Sequence, residues 1–166
     1  MTAIELRARP VRRLEWRRVQ VREVIVETSR VKSLRLQVNG WQGDLPGQDV
    51  DIPPAEDGYQ APHSYSIASP PEDEFVTVTV ERVEKGEVSP YLVEELPSGD
   101  QFELGGPIGG YFVWTIAIGG PLCVVAGGSG VAPLTAMLRH LDRRSSRIPA
   151  VLLYSSRNLE DVIYRT

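Results

Sequence analysis

Leu122-Cys-Val-Val-Ala-Gly-Gly-Ser-Gly-Val-Ala-Pro-Leu-Thr-Ala-Met-Leu138 is the stretch on which the reading of the fold turns. Its first five residues are apolar without alternation, which predicts a strand covered on both faces and makes Cys123 a small core residue. Gly127 to Gly130 then lead into Leu134, Met137, Leu138 and Leu141, the spacing of one helix face. A second unbroken apolar run, Ala150-Val-Leu-Leu-Tyr154, follows the helix. Strand, helix and strand in this order predict a βαβ unit with a parallel sheet, and another helix is expected to begin near Thr166.

Before Gly119-Gly120-Pro121 the texture is different. From Trp16 onward, arginines alternate with Val19 and Val21, then with Val24 and Val26, which puts the arginines on the wet face of a strand. The change of parity predicts a bulge at Arg22 and Glu23. Leu34, Leu36 and Val38 form a second strand closed by Asn39-Gly40. The turn Pro46-Gly47-Gln48 opens into Asp49-Val-Asp-Ile52, and a Pro-rich acidic loop runs from Pro53 to Pro62. A strand is expected near Tyr65 to Ala68, and Phe75 to Val83 alternates as a half-buried strand would. One brief helix is expected from Pro90 to Glu95, with Ser89 as its N-cap. The expected fold is an all-β antiparallel Greek-key barrel followed by the start of an α/β parallel-sheet nucleotide-binding domain. Its expected boundaries are a basic arm at 1–15, the barrel at 16–116 and a partial βαβ domain at 117–166.

Of the 166 residues 42% are hydrophobic and 24% charged, which excludes a disordered tail. The formal net charge of −4 argues against nucleic acid or anionic membrane as partner, although Arg7, Arg9, Arg12 and Arg13 make the start basic. A lone cysteine forms neither an internal disulfide nor a zinc site, so no metal is expected and a reducing, cytoplasmic location is. No run of apolar residues is long enough for a membrane span.

Two loops carry the chemistry. Gly128-Ser-Gly130-Val-Ala-Pro133 follows a buried strand and opens a helix, the context in which glycines let a pyrophosphate approach backbone N–H groups. Lys85-Gly-Glu-Val-Ser89-Pro90 either caps an ordinary helix or holds a second phosphate.

Four ordered strings, His63-Ser-Tyr-Ser-Ile-Ala-Ser69, Gly86-Glu-Val-Ser89, Gly106-Pro-Ile-Gly-Gly-Tyr-Phe112 and Gly128-Ser-Gly130-Val-Ala-Pro133, resemble the ferredoxin reductase superfamily. That resemblance implies a flavin-binding barrel joined to an NAD(P)-binding domain, with hydride passing from nicotinamide to FAD and electrons passing onward to an iron-sulphur or haem protein. It implies that Tyr65 stacks on the isoalloxazine and that Ser66 donates to the flavin's reactive nitrogen. His63 and Ser64 complete that flavin motif, and His63 stands where the family's pattern has a phosphate-gripping arginine. Gly86, Val88 and Ser89 would present amides to the flavin pyrophosphate, and Gly128, Gly130 and Pro133 would hold the nicotinamide nucleotide. Ser155, Ser156 and Arg157 would meet the adenosine ribose, where an arginine beside hydroxyls suits the 2′-phosphate of NADP, with NAD as the alternative.

The resemblance also implies further sheet strands beyond Thr166. The chain is therefore expected to be C-terminally truncated and to dimerise through an exposed sheet edge. Two rival readings are a catalytically incomplete flavin- or nucleotide-binding module acting with a partner chain, and a small barrel gripping single-stranded nucleic acid. His140 is expected to serve the dipole at a helix end, and Glu72, Asp73 and Glu74 to form a solvated turn.

Overall fold

The computed structural model describes residues 14–54 and 61–165. The basic arm expected at 1–15 falls almost wholly outside them, as does the centre of the acidic loop. Six antiparallel strands form the first layer: β1 (Trp16–Val26), β2 (Val31–Val38), β3 (Asp49–Ile52), β4 (His63–Ser66), β5 (Val76–Glu81) and β6 (Gln101–Ile108). Their order is β4-β3-β6-β1-β2-β5, and a bridge between Ile67 and Val78 joins the two outermost strands into a barrel. Its Greek-key character lies in β6, which inserts between β3 and β1. Closure leaves no edge to aggregate. The parity change in β1 is a bulge, because the register against β2 shifts between Val21 and Glu23. Inward-facing Val19, Leu34, Leu36, Val50, Val78, Val80 and Leu104 make the core, each at 1% exposure or less.

Two expectations within the barrel are corrected. β5 is not half buried, since Thr77 and Thr79 on its outer face are buried along with the valines beside them. The C-terminal segment folds back over it, with the Tyr164 hydroxyl bonded to Thr79 Oγ1. The helix at 90–95 is a single π-helical turn, Tyr91–Glu95, and Ser89 does not cap it. Ser89 Oγ instead accepts from Val83 N at 3.0 Å and pins the preceding turn.

The second unit pairs β7 (Leu122–Gly127) in parallel with β8 (Ala150–Ser155), joined by α1 (Val131–Arg143). The expected coverage of both faces is wrong here. In β7, Leu122, Val124 and Ala126 are buried while Cys123 and Val125 are exposed, because α1 covers one face alone. Cys123 is therefore a surface thiol and not a core residue. Trp114, expected at the end of the barrel, belongs to the second core with Leu122, Val124, Leu134, Met137 and Ile163. Past β8 the chain makes a 3-10 turn, Leu159–Asp161.

The turn holding Glu72 and Asp73 is not merely solvated. Glu72 Oε1 lies 2.8 Å from His140 Nδ1, and Arg143 Nε donates to Asp73 Oδ1 at 2.9 Å. His140 is thus 6% exposed and faces the barrel, and its carboxylate partner comes from 68 residues away. These contacts, with Arg139 Nη1 donating to Ala68 O at 3.0 Å, clamp α1 onto the barrel. No helix among the described residues is long and apolar enough to cross a membrane.

Candidate functional site

The first zone lies on β4, where pairing with β3 sets Tyr65 opposite Val50 and Ser66 opposite Asp49. Tyr65 is half-buried against the barrel core, and burial pushes its phenol up to about 12, so it stays a neutral ring at physiological pH. Ser66 Oγ donates to Asp49 Oδ1 at 2.7 Å and Ser64 Oγ donates to Asp51 Oδ1 at 2.5 Å. Both carboxylates were missed as site residues, although the alternation Asp49-Val-Asp-Ile puts them on one face. His63 is exposed at the start of β4.

Beyond β5 the turn at 83–89 is compact. Gly86 N donates to Val83 O at 2.9 Å, and a Cβ on Gly86 would come within 2.9 Å of Ser89 Oγ and 3.2 Å of Val83 O. A larger residue would force the Ser89 side chain and the Val83 backbone to give way. Val88 packs its side chain into the core at 2% exposure, so only its backbone is offered to a ligand. Gly47 holds β3 in place from the other side: with φ at +100°, any Cβ would meet Phe112 O at 1.9 Å.

The second zone is a cavity of about 420 Å³ between the two units, bounded by Glu81, Gly128, Ser129, Ser155, Ser156 and Arg157. Gly128–Gly130 forms a 3-10 turn that runs directly into α1, with no side chain capping the helix. The first N–H groups of α1 are therefore without a side-chain acceptor. Pro133, at the third position of α1, needs no intrahelical donor there. Ser129 Oγ donates to Glu81 Oε2 at 2.7 Å, which ties the loop to the barrel. At the end of β8, Ser156 Oγ donates to Asn158 O at 3.0 Å and Arg157 Nε lies 3.9 Å from Asp161 Oδ2. Thr28, Arg30, Glu81 and Asp161 also line this cavity and carried no sequence signal.

Residues 18–113 match the family described as Oxidoreductase FAD-binding domain. Methane monooxygenase component C of Methylosinus trichosporium is 32% identical over 143 residues, covering 85% of this chain and 39% of the relative. The toluate 1,2-dioxygenase electron transfer component of Pseudomonas putida is 32% identical, covering 72% of this chain and 34% of the relative. The chain belongs to the ferredoxin reductase superfamily. Among solved members, a cytochrome P450 reductase of Amycolatopsis superposes with a TM-score of 0.79 at 28% identity, over 92% of this chain and 46% of that one. This superfamily member thus spans 39% and 34% of the two curated relatives and 46% of the solved reductase.

Proposed function

We propose that the chain is the flavin-holding part of an NAD(P)H-dependent reductase, one that takes a hydride from a nicotinamide nucleotide and passes electrons to an iron-sulphur or haem protein. The observation that carries this reading is the bond of 2.7 Å from Ser129 to Glu81. It joins the Gly128–Gly130 loop to the end of β5, the strand bridged through Val78 and Ile67 to the segment holding Tyr65 and Ser66. Both glycine-containing loops and the Tyr65 segment are thereby linked through β5 and the residues that follow it.

The residues fit a flavin. The turn at 83–89 packs tightly on itself around Gly86, and Tyr65 presents a neutral ring of the size that stacks on a flat heterocycle. A bound flavin would supply the step from hydride to single electrons. The chain's own part is orientation: Asp49 holds the Ser66 hydroxyl, and the amides of Val88 and Ser89 would face the pyrophosphate, while that of Gly86 is spent on Val83 O within the turn. The names of the relatives, an electron transfer component and a component of a monooxygenase, support an oxygenase or its ferredoxin as the acceptor. NADPH is the proposed reductant, since Arg157 beside Ser155 and Ser156 suits a 2′-phosphate. Asp161 near the same guanidinium favours a ribose diol and hence NADH, so both nucleotides are to be compared.

The second reading, an incomplete flavin or nucleotide module that needs a partner chain, is favoured by the open face of β7 and β8, where Val125 and Leu153 are 68% and 64% exposed.

The visible absorption spectrum of the purified protein, followed by FAD titration, tests the flavin reading. Tyr65→Ala is expected to weaken FAD retention by about 1 to 3 kcal/mol, the worth of one aromatic stacking contact. Absence of stoichiometric FAD binding by the unmutated protein overturns the proposal. Anaerobic mixing of the FAD-loaded protein with NADPH and with NADH then separates the reductase reading from the incomplete module, which would not bleach.

A further inference from the structure

The cavity of about 420 Å³ has one wall that comes from the barrel, the turn between β1 and β2 carrying Thr28 and Arg30. This turn is held from several sides. Glu27 N and Thr28 N donate to Val31 O at 3.0 and 3.1 Å, and Arg30 N donates to Thr28 Oγ1 at 3.2 Å. Arg82 N donates to Arg30 O at 2.8 Å, and Arg30 Nη2 donates back to Arg82 O at 3.2 Å. The Arg30 side chain is therefore tethered beside the cavity by the carbonyl of Arg82, just past the end of β5.

What it lacks is an anion. A guanidinium offers five N–H donors, and here Nε is buried with no hydrogen-bond partner among the described residues. No ion pair among those residues involves Arg30. The two cavity carboxylates are engaged elsewhere, Glu81 by the Ser129 hydroxyl and Asp161 by Asn158, whose Nδ2 donates to it at 2.9 Å. A cation drawn partly out of water without a partner is costly, and an anionic ligand in the cavity offsets that cost. The same cavity is lined by Gly128 and Ser129 of the loop that opens α1.

We infer that Arg30 is the barrel's contribution to nucleotide binding, donating across the seam to the pyrophosphate of a dinucleotide held by the Gly128–Gly130 loop. The inference rests on the proposed nucleotide-binding role of that loop. Its consequence is that the dinucleotide touches both units: the barrel reads the pyrophosphate as charge, and the end of β8 reads the adenosine ribose. Ligands without a pyrophosphate gain nothing from Arg30.

Isothermal titration of Arg30→Ala, Arg30→Lys and the unmutated protein, all FAD-loaded, with ADP-ribose, NADP+ and adenosine 2′-monophosphate tests this. Arg30→Ala is expected to weaken ADP-ribose and NADP+ about 10- to 100-fold, the worth of a charge-assisted contact. Arg30→Lys should recover part of the loss, adenosine 2′-monophosphate should bind all three proteins alike, and FAD content should not change. Undiminished ADP-ribose affinity in Arg30→Ala overturns the inference and leaves the loop's role standing. Equal weakening of adenosine 2′-monophosphate also overturns it, because Arg30 would then face the ribose phosphate. Failure of the unmutated protein to bind any of the three overturns both the inference and the nucleotide-binding reading beneath it.

Discussion

The barrel and the β7–β8 unit bury apolar residues to very different degrees. Leu34, Leu36, Val78 and Val80 in the barrel are fully buried, whereas Val125, Val151 and Leu153 on the parallel pair are 68%, 63% and 64% exposed. Both regions are built from valine- and leucine-rich strands, so side-chain chemistry does not separate them. Closure does. A sheet that curls until β4 meets β5 has an inside, while a sheet of two strands with a helix on one face has an inner face and an open one. Phe112 and Cys123 continue the open face into a groove with Val125. The two regions also offer different things to a ligand: strand positions on the barrel, and a glycine loop that runs into a helix N-terminus without a side-chain cap on the parallel unit.

The largest expected effect breaks this comparison at its root. Leu34→Ala should cost about 2 to 5 kcal/mol in denaturant unfolding, because it leaves a void in a closed core. Val125→Ser, on the open face, should cost under about 0.5 kcal/mol and should reduce self-association measured by light scattering. Equal losses from the two would mean that the open face is covered in solution.

The next effect bears on the barrel's ligand rather than its core. His63→Arg restores a permanently charged, bidentate donor at the exposed start of β4 and should tighten FAD about 10- to 100-fold by titration. Unchanged FAD affinity would mean that residue 63 does not face the pyrophosphate.

The smallest effect lies where the two regions meet. Asp44 accepts from Trp41 Nε1 at 3.1 Å, and its other oxygen is buried without a partner among the described residues. Burial pushes its carboxyl up to about 6, against the opposing bond from Trp41 and with added repulsion from Glu72. The folded state therefore holds this proton more tightly than the unfolded chain. The Asp44 contribution to stability is full below about pH 4 and is lost as pH rises through about 6. Asp44→Asn keeps the Trp41 bond without the charge, so it should raise stability above pH 6 by about 1 to 3 kcal/mol and change little near pH 4. Melting curves at both pH values check this, and a pH-independent difference would refute it.

Much of the barrel was legible because its information is local. The parity change after Val21 became the bulge, Asn39-Gly40 ended β2, and Pro46-Gly47-Gln48 became the tight turn that Phe112 and Met137 close over. The position of the Gly128–Gly130 loop between β7 and α1 was legible for the same reason, since the apolar run, the glycines and the helical spacing follow one another directly along the chain. The faces of β7 were not. Five apolar residues in a row fit a strand covered on both sides or on one, and nothing within Leu122–Ala126 says how many neighbours will arrive. Ser89 misled because a serine before a proline is a common cap, and only the fold brings Val83 N to its hydroxyl.

By itself the sequence determined the order of elements, the change from antiparallel barrel to parallel unit, and the glycine loop that opens the helix of that unit, since each is written in the spacing of a few neighbouring residues. Only the tertiary structure decided which faces are dry and which charges meet. Tyr164 covers β5 from 85 residues away, Glu72 meets His140 across 68, and Arg30 reaches the glycine loop's cavity from the opposite unit. Burial and pairing are sums over everything that packs nearby, and contacts between residues so far apart leave no periodicity along the chain.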